Sequence, residues 1–138
     1  MYPFFSKLRL IQRPYTNQLN EVTQQFQLSS VQWALLKYLG ENGPATFSDV
    51  ALYWHVEKPS ITPIAQKLNE NNLIYIAPGE DKRQKFMHLT ALGLQRYEEM
   101  QTEIVRFQQE LMKDITNEEI EIAEAVLDKL HRNLKRRG

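Results

Sequence analysis

The sequence contains no cysteine, and this absence removes several classes of function at once. Without thiols the chain has no disulfide framework, no thiolate zinc site, no cysteine nucleophile and no thiol redox switch. Its three histidines, His55, His88 and His131, lie far apart in the sequence and show no metal-ligand spacing. We therefore expect neither a metal site nor a cofactor.

Long apolar runs are also missing. No stretch approaches the roughly 18 residues that a membrane span needs, and the apolar start at residues 1–5 is too short for the core of a signal peptide. The chain has 138 residues, of which 42% are hydrophobic and 25% charged, which is ordinary for a globular protein with a real core. We expect a single cytoplasmic domain over residues 1–138 that has no membrane partner.

The formal net charge is zero, which by itself argues against a nucleic-acid-binding protein. The charges are, however, segregated along the chain. Residues 58–90 carry a small basic excess, residues 98–128 are strongly acidic, and the last ten residues are basic again. Neutrality of the whole chain therefore does not exclude a locally basic surface, and the acidic stretch also fits a solvated helix face.

Apolar residues recur at three- and four-residue steps over much of the chain, which predicts helices. The first covers about residues 4–26, and Pro14 within it is expected to kink or divide the helix because proline lacks a backbone donor. Further helices begin where a capping residue precedes an apolar stripe. These start signals are at Ser29, Thr46, Thr90 and Thr116.

The segment from Lys58 to Gly93 carries the most informative pattern. It predicts a helix at about 60–71, ended by Asn71-Asn72, then a strand, a tight basic turn and a returning strand over 85–89. A helix followed by a basic hairpin is typical of a winged helix-turn-helix. This arrangement commonly places one helix in the DNA major groove. We predict a mainly α-helical fold with a small β-hairpin wing. The winged helix-turn-helix would cover 28–92, flanked by helical dimerisation parts at 1–26 and 93–138.

Polar residues of this segment suit DNA contacts. Hydroxyls reach bases or phosphates, Gln66 can pair bidentately with adenine, and the basic residues supply charge against the backbone. Asp81 is expected to orient the Arg83 guanidinium through a charge-assisted hydrogen bond. The candidate DNA-binding residues are Lys58, Ser60, Thr62, Gln66, Lys67, Lys82, Arg83 and Lys85.

Both ends of the chain carry more apolar residues than a small core should absorb, and such a surplus usually marks an interface. This predicts a homodimer, although packing of the two ends on each other within one subunit stays open. In a two-fold dimer the two DNA-contacting helices would require a pseudo-palindromic site. The candidate dimerisation residues are Phe4, Phe5, Leu8, Leu127, Leu130 and Leu134.

Several short motifs match one known family. The most specific is Asp81-Lys82-Arg83 followed by Leu89-Thr90-Ala91-Leu92-Gly93, which fits the wing pattern Asp-x-Arg, a strand, then Leu-Thr-x-x-Gly. Through this motif and others the chain resembles MarR-family transcriptional regulators over essentially its whole length. The supporting motifs are Leu28-Ser29, Thr46-Phe47-Ser48-Asp49-Val50-Ala51, Lys58-Pro59-Ser60-Ile61-Thr62 and Asn72-Leu73-Ile74.

The resemblance implies an obligate homodimer that binds operator DNA through the helix at 60–71 and through the wing, with Arg83 in the minor groove. It also implies release of DNA by a small aromatic effector. The chain departs from the family pattern at Pro63 and Ile76, where arginine is common, and at Asn72, where glycine is usual. The aromatic residues near the implied effector cleft are Tyr15, Trp33, Tyr38 and Trp54.

The function predicted is a sequence-specific DNA-binding regulator, a homodimeric repressor released by a small molecule. The alternative is a winged-helix protein-interaction module without DNA readout, which the zero net charge, Pro63 and Ile76 favour. An enzyme is not expected, because the carboxylates lie on helical faces with no accompanying nucleophile, base or glycine-rich phosphate loop.

Overall fold

The chain folds into six α-helices and a small antiparallel sheet. The computed structural model describes all residues 1–138, and its elements confirm a mainly helical fold with a hairpin. A short 3-10 turn, Lys58–Ser60, precedes the fourth helix. The helices are α1 (Pro3–Gln24), α2 (Ser30–Asn42), α3 (Phe47–Trp54), α4 (Ile61–Glu70), α5 (Ala91–Leu111) and α6 (Asn117–Arg137). The strands are β1 (Ala45–Thr46), β2 (Ile74–Pro78) and β3 (Lys85–Leu89).

Two compact units make up the chain, Met1–Phe107 and Gln108–Gly138. The first contains α1 to α4, the sheet and most of α5, whereas the second contains the end of α5 and all of α6. None of the six helices combines the length and the apolar character that crossing a lipid bilayer requires.

Reciprocal capping bonds fix the starts of three helices. At α2 the Ser29 hydroxyl accepts from the Gln32 backbone N–H at 3.2 Å, and the Gln32 side chain accepts from the Ser29 N–H at 2.9 Å. Each such box satisfies two backbone donors that lack a partner within the helix. The same reciprocal bonds join the pairs Thr46–Asp49 at α3 and Thr116–Glu119 at α6, as the sequence predicts.

Pro14 lies inside α1, which runs without interruption from Pro3 to Gln24. Of the two outcomes expected for Pro14, a kink or a division, the division does not occur. Proline removes the donor that would reach the carbonyl of Leu10, one turn earlier. Both residues are exposed, so water can satisfy that carbonyl and the helix continues.

The core of the first unit forms where α2 and α4 pack against each other and α2 packs against β3. Each large aliphatic side chain that is fully buried contributes about 1.5–3 kcal/mol relative to exposure. The side chains with essentially no exposure include Leu35, Leu36, Ile61, Leu68, Ile74 and Met87.

The sheet has the strand order β1–β3–β2, with both pairs antiparallel. In the hairpin Ile74 is opposite Leu89 and Pro78 is opposite Lys85, while β1 adds only the pairs Ala45–Met87 and Thr46–Phe86. Strand β1 was not predicted from the sequence. A segment of two residues is too short to show the alternation of apolar and polar residues that predicts a strand. Its strand character comes entirely from pairing with β3.

Left-handed backbone occurs at residues that end two of the helices. His55 has φ 57° where α3 ends, and Asn72 has φ 61° just after α4. The N–H of Leu73 then donates to the Leu68 carbonyl at 3.0 Å, which closes the end of α4 before β2 begins. Asparagine therefore serves where the related pattern usually has glycine.

Candidate nucleic-acid interface

Helix α4 divides cleanly into a buried and an exposed face. Ile61, Ala65 and Leu68 are fully buried in the core, whereas Thr62 and Gln66 are exposed together with Lys67. Spacings of three and four residues place the apolar set on one side of the helix. The polar residues selected from the sequence therefore do lie on the outer face.

Ser60 occupies the position before α4 but does not cap it. Its backbone is already helical, with φ −65° and ψ −26°, because it is the last residue of the 3-10 turn, and its side chain accepts no capping hydrogen bond. A capping hydroxyl normally needs an extended backbone at this position. Ser60 therefore does not act as a cap, and its exposed hydroxyl makes no capping hydrogen bond.

Pro63 is the third residue of α4, where a backbone donor has no partner within the helix in any case. The helix therefore begins at Ile61 and continues through Pro63 to Glu70 without interruption. Proline at a position where the family pattern often has arginine thus changes the surface of α4 but not its helical structure.

A network of short bonds shapes the wing tip between β2 and β3. The Gly79 N–H donates to the Gln84 carbonyl, and the Gln84 N–H donates to the Asp81 carbonyl, each at 2.9 Å. Asp81 Oδ1 accepts from the backbone N–H of Arg83 at 3.0 Å and from Arg83 Nε at 3.4 Å. The expected Asp81–Arg83 contact is therefore present. Because the Arg83 side chain is 91% exposed, this ion pair adds little to the stability of the fold. Its main effect is to orient the Arg83 side chain.

The wing tip and the first residue of β3 form a cavity of about 290 Å³ with the start of α3. Lys58, Arg83 and Lys85 line it together with Phe47 and Ser48, the first two residues of α3, and no carboxylate does so. The Asp49 carboxylate of the capping box offsets part of the positive end of α3, so the three cations supply the positive charge of this site. We call this site the basic cleft.

Ser48 was missing from the residues selected in the sequence. The signal for it was available, because the Thr46–Asp49 capping box places Ser48 in the first turn of α3. What the sequence did not indicate is that the wing folds back onto this turn. That proximity follows from the pairing of β1 with β3.

The remaining lysines of the segment carry uncompensated charge. Neither Lys58, Lys82 nor Lys85 forms an ion pair, in contrast to Lys37, which pairs with Glu41 at 3.4 Å. Lys67 is likewise unpaired but lines a different cavity. The first unit therefore presents a locally positive surface even though the whole chain is neutral.

Thr90 and Gly93 attach the wing to α5. The Thr90 hydroxyl donates to the Asn72 carbonyl at 2.7 Å and accepts from the Gly93 N–H at 2.9 Å, while the Thr90 N–H donates to the Leu73 carbonyl at 3.1 Å. The Leu-Thr-x-x-Gly motif is thus a helix cap that also binds the chain just before β2. It holds the hairpin in a fixed position relative to α5.

The four aromatic residues expected near an effector cleft lie in or against the core. Tyr15 stacks on Phe107 with centroids 5.8 Å apart, and Tyr38 packs on Tyr53 at 5.2 Å. Trp33 is buried and its Nε1 has no hydrogen-bond partner, which is unusual for a buried indole donor. Trp54 is half-buried at the end of α3.

The candidate dimerisation residues are largely exposed in the single chain. On α1, Phe4 and Phe5 are 40% and 55% exposed, and Leu8 is half-buried. On α6, which contains no buried residue, Leu127 and Leu134 are 45% and 66% exposed and Leu130 is half-buried. Each helix therefore carries apolar side chains that its own chain leaves accessible.

Comparison with known proteins places this architecture in one family. Residues 26–84 match the family model described as MarR family. The HTH-type transcriptional regulator YwoH of Bacillus subtilis is 36% identical over 102 residues, which are 74% of this chain and 74% of YwoH. The HTH-type transcriptional repressor IacR of Pseudomonas putida is 27% identical over 97% of this chain and 80% of its own. A solved structure of Staphylococcus aureus MarR in complex with salicylate and kanamycin superposes with a TM-score of 0.87 at 27% identity, over 98% of this chain and 92% of that one. The chain is therefore a transcriptional regulator of the MarR family.

Proposed function

We propose that this regulator binds double-stranded DNA as a homodimer, acts as a repressor in the cytoplasm, and loses DNA affinity when a small aromatic molecule binds. It has no enzymatic activity in this proposal. Helix α4 enters the major groove and the wing lies beside it, with Arg83 in the minor groove. The exposed residues Ser60, Thr62 and Gln66 contact bases or phosphates from α4.

The basic cleft is the observation that carries the DNA-binding proposal. Lys58, Arg83 and Lys85 converge there beside the first turn of α3. A backbone phosphate in this cleft would neutralise the charges of Lys58 and Lys85, which form no ion pair within the protein. Lys82 at the wing tip extends the same positive surface toward the neighbouring phosphate.

Homodimer formation is supported by the exposed apolar side chains on α1 and α6. Leaving so many large side chains in water is unfavourable, and a second copy would cover them in a self-complementary interface. A two-fold axis would then present two α4 helices about one DNA turn, or 34 Å, apart, which calls for a pseudo-palindromic operator.

The repressor role and the effector site are proposed from two similar proteins and from one buried side chain of this chain. IacR is a repressor, and the S. aureus MarR structure contains salicylate, an aromatic acid. Within this chain Trp33 Nε1 is a buried donor without a partner, so an acceptor on a bound ligand would satisfy it. We propose an effector site among Tyr15, Trp33, Tyr38 and Trp54.

A titration of duplex DNA over several salt concentrations tests the proposal. The DNA is taken from the region upstream of the protein's own gene, with random-sequence duplexes for comparison. The double variant Lys58→Ala/Arg83→Ala should bind more weakly, and its slope of log affinity against log salt should fall by roughly one unit per lost phosphate contact.

The matched control is Arg106→Ala. Arg106 is also an exposed arginine, but it pairs with Glu103 at 2.9 Å and lies outside the basic cleft. This control should titrate like the wild type. If the wild type shows no salt-dependent DNA binding at all, the chain acts as a protein-interaction module and the proposal fails.

A further inference from the structure

A second cavity, of about 330 Å³, lies where the corner between α1 and α2 meets the end of α4 and the first turns of α5. It shares no residue with the basic cleft. No carboxylate lines it, and its volume is at the small end of the range for ligand sites. Its polar lining consists of Lys67, Arg96, Gln27 and Asn71. We call it the corner cavity.

Two cations face this cavity without an anionic partner. Arg96 is half-buried, and its Nη1 donates to the Phe26 carbonyl at 3.4 Å. That single bond holds the guanidinium at the cavity and leaves most of its five donors for another acceptor. Lys67, on the last turn of α4, forms no ion pair. Two positive groups that share a cavity repel each other unless an anion lies between them.

The lining also supplies neutral donors. The side-chain amides of Gln27 and Asn71 can each donate two hydrogen bonds. Gln27 is fixed at the corner by a left-handed backbone, φ 62°, and its N–H bonds the Gln24 carbonyl at 2.9 Å. The Asn71 N–H bonds the Lys67 carbonyl at 3.2 Å. The cavity is therefore rich in hydrogen-bond donors.

We propose that the corner cavity binds a small anion, a carboxylate or a phosphate, between the Lys67 ammonium and the Arg96 guanidinium. The planar fork of Arg96 suits two oxygens of such a group, and Lys67 adds a point charge. Because Lys67 belongs to α4 and Arg96 to α5, the bound anion joins the DNA-facing helix to the long helix behind it. This site goes beyond the DNA-binding proposal, since none of its chemistry needs DNA.

Calorimetric titration of the full chain with inorganic phosphate, in the absence of DNA and against sodium chloride at equal ionic strength, tests the site. The wild type should bind phosphate saturably. Arg96→Gln and Lys67→Gln should each weaken that binding by about tenfold or more, because each removes a charge-assisted contact. Lys67 is exposed, so Lys67→Gln reports on the site even if Arg96→Gln disturbs the corner. The control Arg106→Gln removes a like charge from α5 outside the cavity and should bind as the wild type does.

Two outcomes would overturn the proposal. An equal response of all four proteins would mean that phosphate acts as a general electrolyte. Absence of saturable binding by the wild type would also end it, and a loss of DNA affinity in Arg96→Gln would then assign the cavity to a DNA phosphate. Failure of the DNA-binding proposal would leave the phosphate titration unchanged, so the two ideas are tested independently.

Discussion

A β-carbon placed on Gly93 would lie 1.9 Å from the backbone carbonyl oxygen of Leu73. The first turn of α5 therefore passes over the chain before β2 at a distance that only glycine permits. The obstacle is backbone, which cannot turn aside as a flexible side chain can. Gly93 thus sets how closely the wing approaches α5, and the glycine of the Leu-Thr-x-x-Gly motif acquires a steric reason.

Gly93→Ala should destabilise the fold although alanine is the better helix former. The clash must be relieved by moving α5 away from Leu73, and overpacking of this kind costs about 1–3 kcal/mol or more. Urea unfolding followed by circular dichroism measures the change. Gln95→Ala, at an exposed position of the same helix, should stay within about 0.5 kcal/mol of the wild type. Equal stabilities for the two variants would refute the steric explanation.

Two substitutions at Asp81 distinguish its role in orienting Arg83 from the effect of its negative charge. Asp81→Asn keeps an oxygen that can accept from the Arg83 N–H, whereas Asp81→Ala removes the acceptor. If Asp81 orients Arg83, the alanine variant should bind DNA roughly tenfold more weakly than the asparagine variant. Fluorescence polarisation at fixed salt compares them. Tighter binding by both variants to the same extent would mean that Asp81 acts only as a repelling charge.

The dimer interface on α6 is tested by introducing a charge at Leu127. Leu127→Asp should shift the protein toward monomer and reduce its affinity for a full operator, since a monomer occupies one half-site only. Sedimentation equilibrium gives the association state. The control Ala125→Asp adds the same charge about 200° around the helix from Leu127. Dissociation by both variants alike, or by neither, would argue against an interface on the Leu127 face.

We expect the folded protein to lose stability at high pH because of Tyr97. Burial of its ring, with a further contribution from the Glu41 charge, raises the pKa of the Tyr97 hydroxyl above its ordinary value of 10.0. The folded state therefore holds this proton more tightly than the unfolded state. The resulting stability is fully present below the unfolded pKa and is lost as pH rises through the folded pKa.

Tyr97→Phe removes the ionising group and should reduce this alkaline loss. Urea unfolding gives the free energy of unfolding of both proteins at about pH 8 and at about pH 11. The loss between the two pH values is then compared between wild type and variant. Lysine deprotonation affects both proteins equally and cancels. An identical alkaline loss in wild type and variant would show that Tyr97 ionises as freely in the folded state as in the unfolded one.

Features that depend on neighbouring residues could be predicted from the sequence. The capping boxes at Ser29, Thr46 and Thr116 each close within four residues, so residue type and spacing are enough to specify them. The same holds for the contact between Asp81 and Arg83. These interactions need no knowledge of how distant segments pack.

Features that depend on distant segments could not be predicted. Strand β1 exists only because β3 pairs with it, and Ser48 joins the basic cleft only because the wing folds against α3. The 3-10 turn before α4, which makes the backbone of Ser60 helical and prevents it from capping, was not predicted either. Pro14 was tolerated because its side of α1 is exposed, which local sequence does not reveal.

The pairing of β1 with β3 also has a consequence for how the protein folds. It closes a loop of about forty residues that contains α3, α4 and β2, so it costs more chain entropy than closing the short β2–β3 hairpin. The basic cleft lies at this closure. A chain in which β1 has not paired with β3 therefore lacks the basic cleft, because its cations are not yet held against the start of α3.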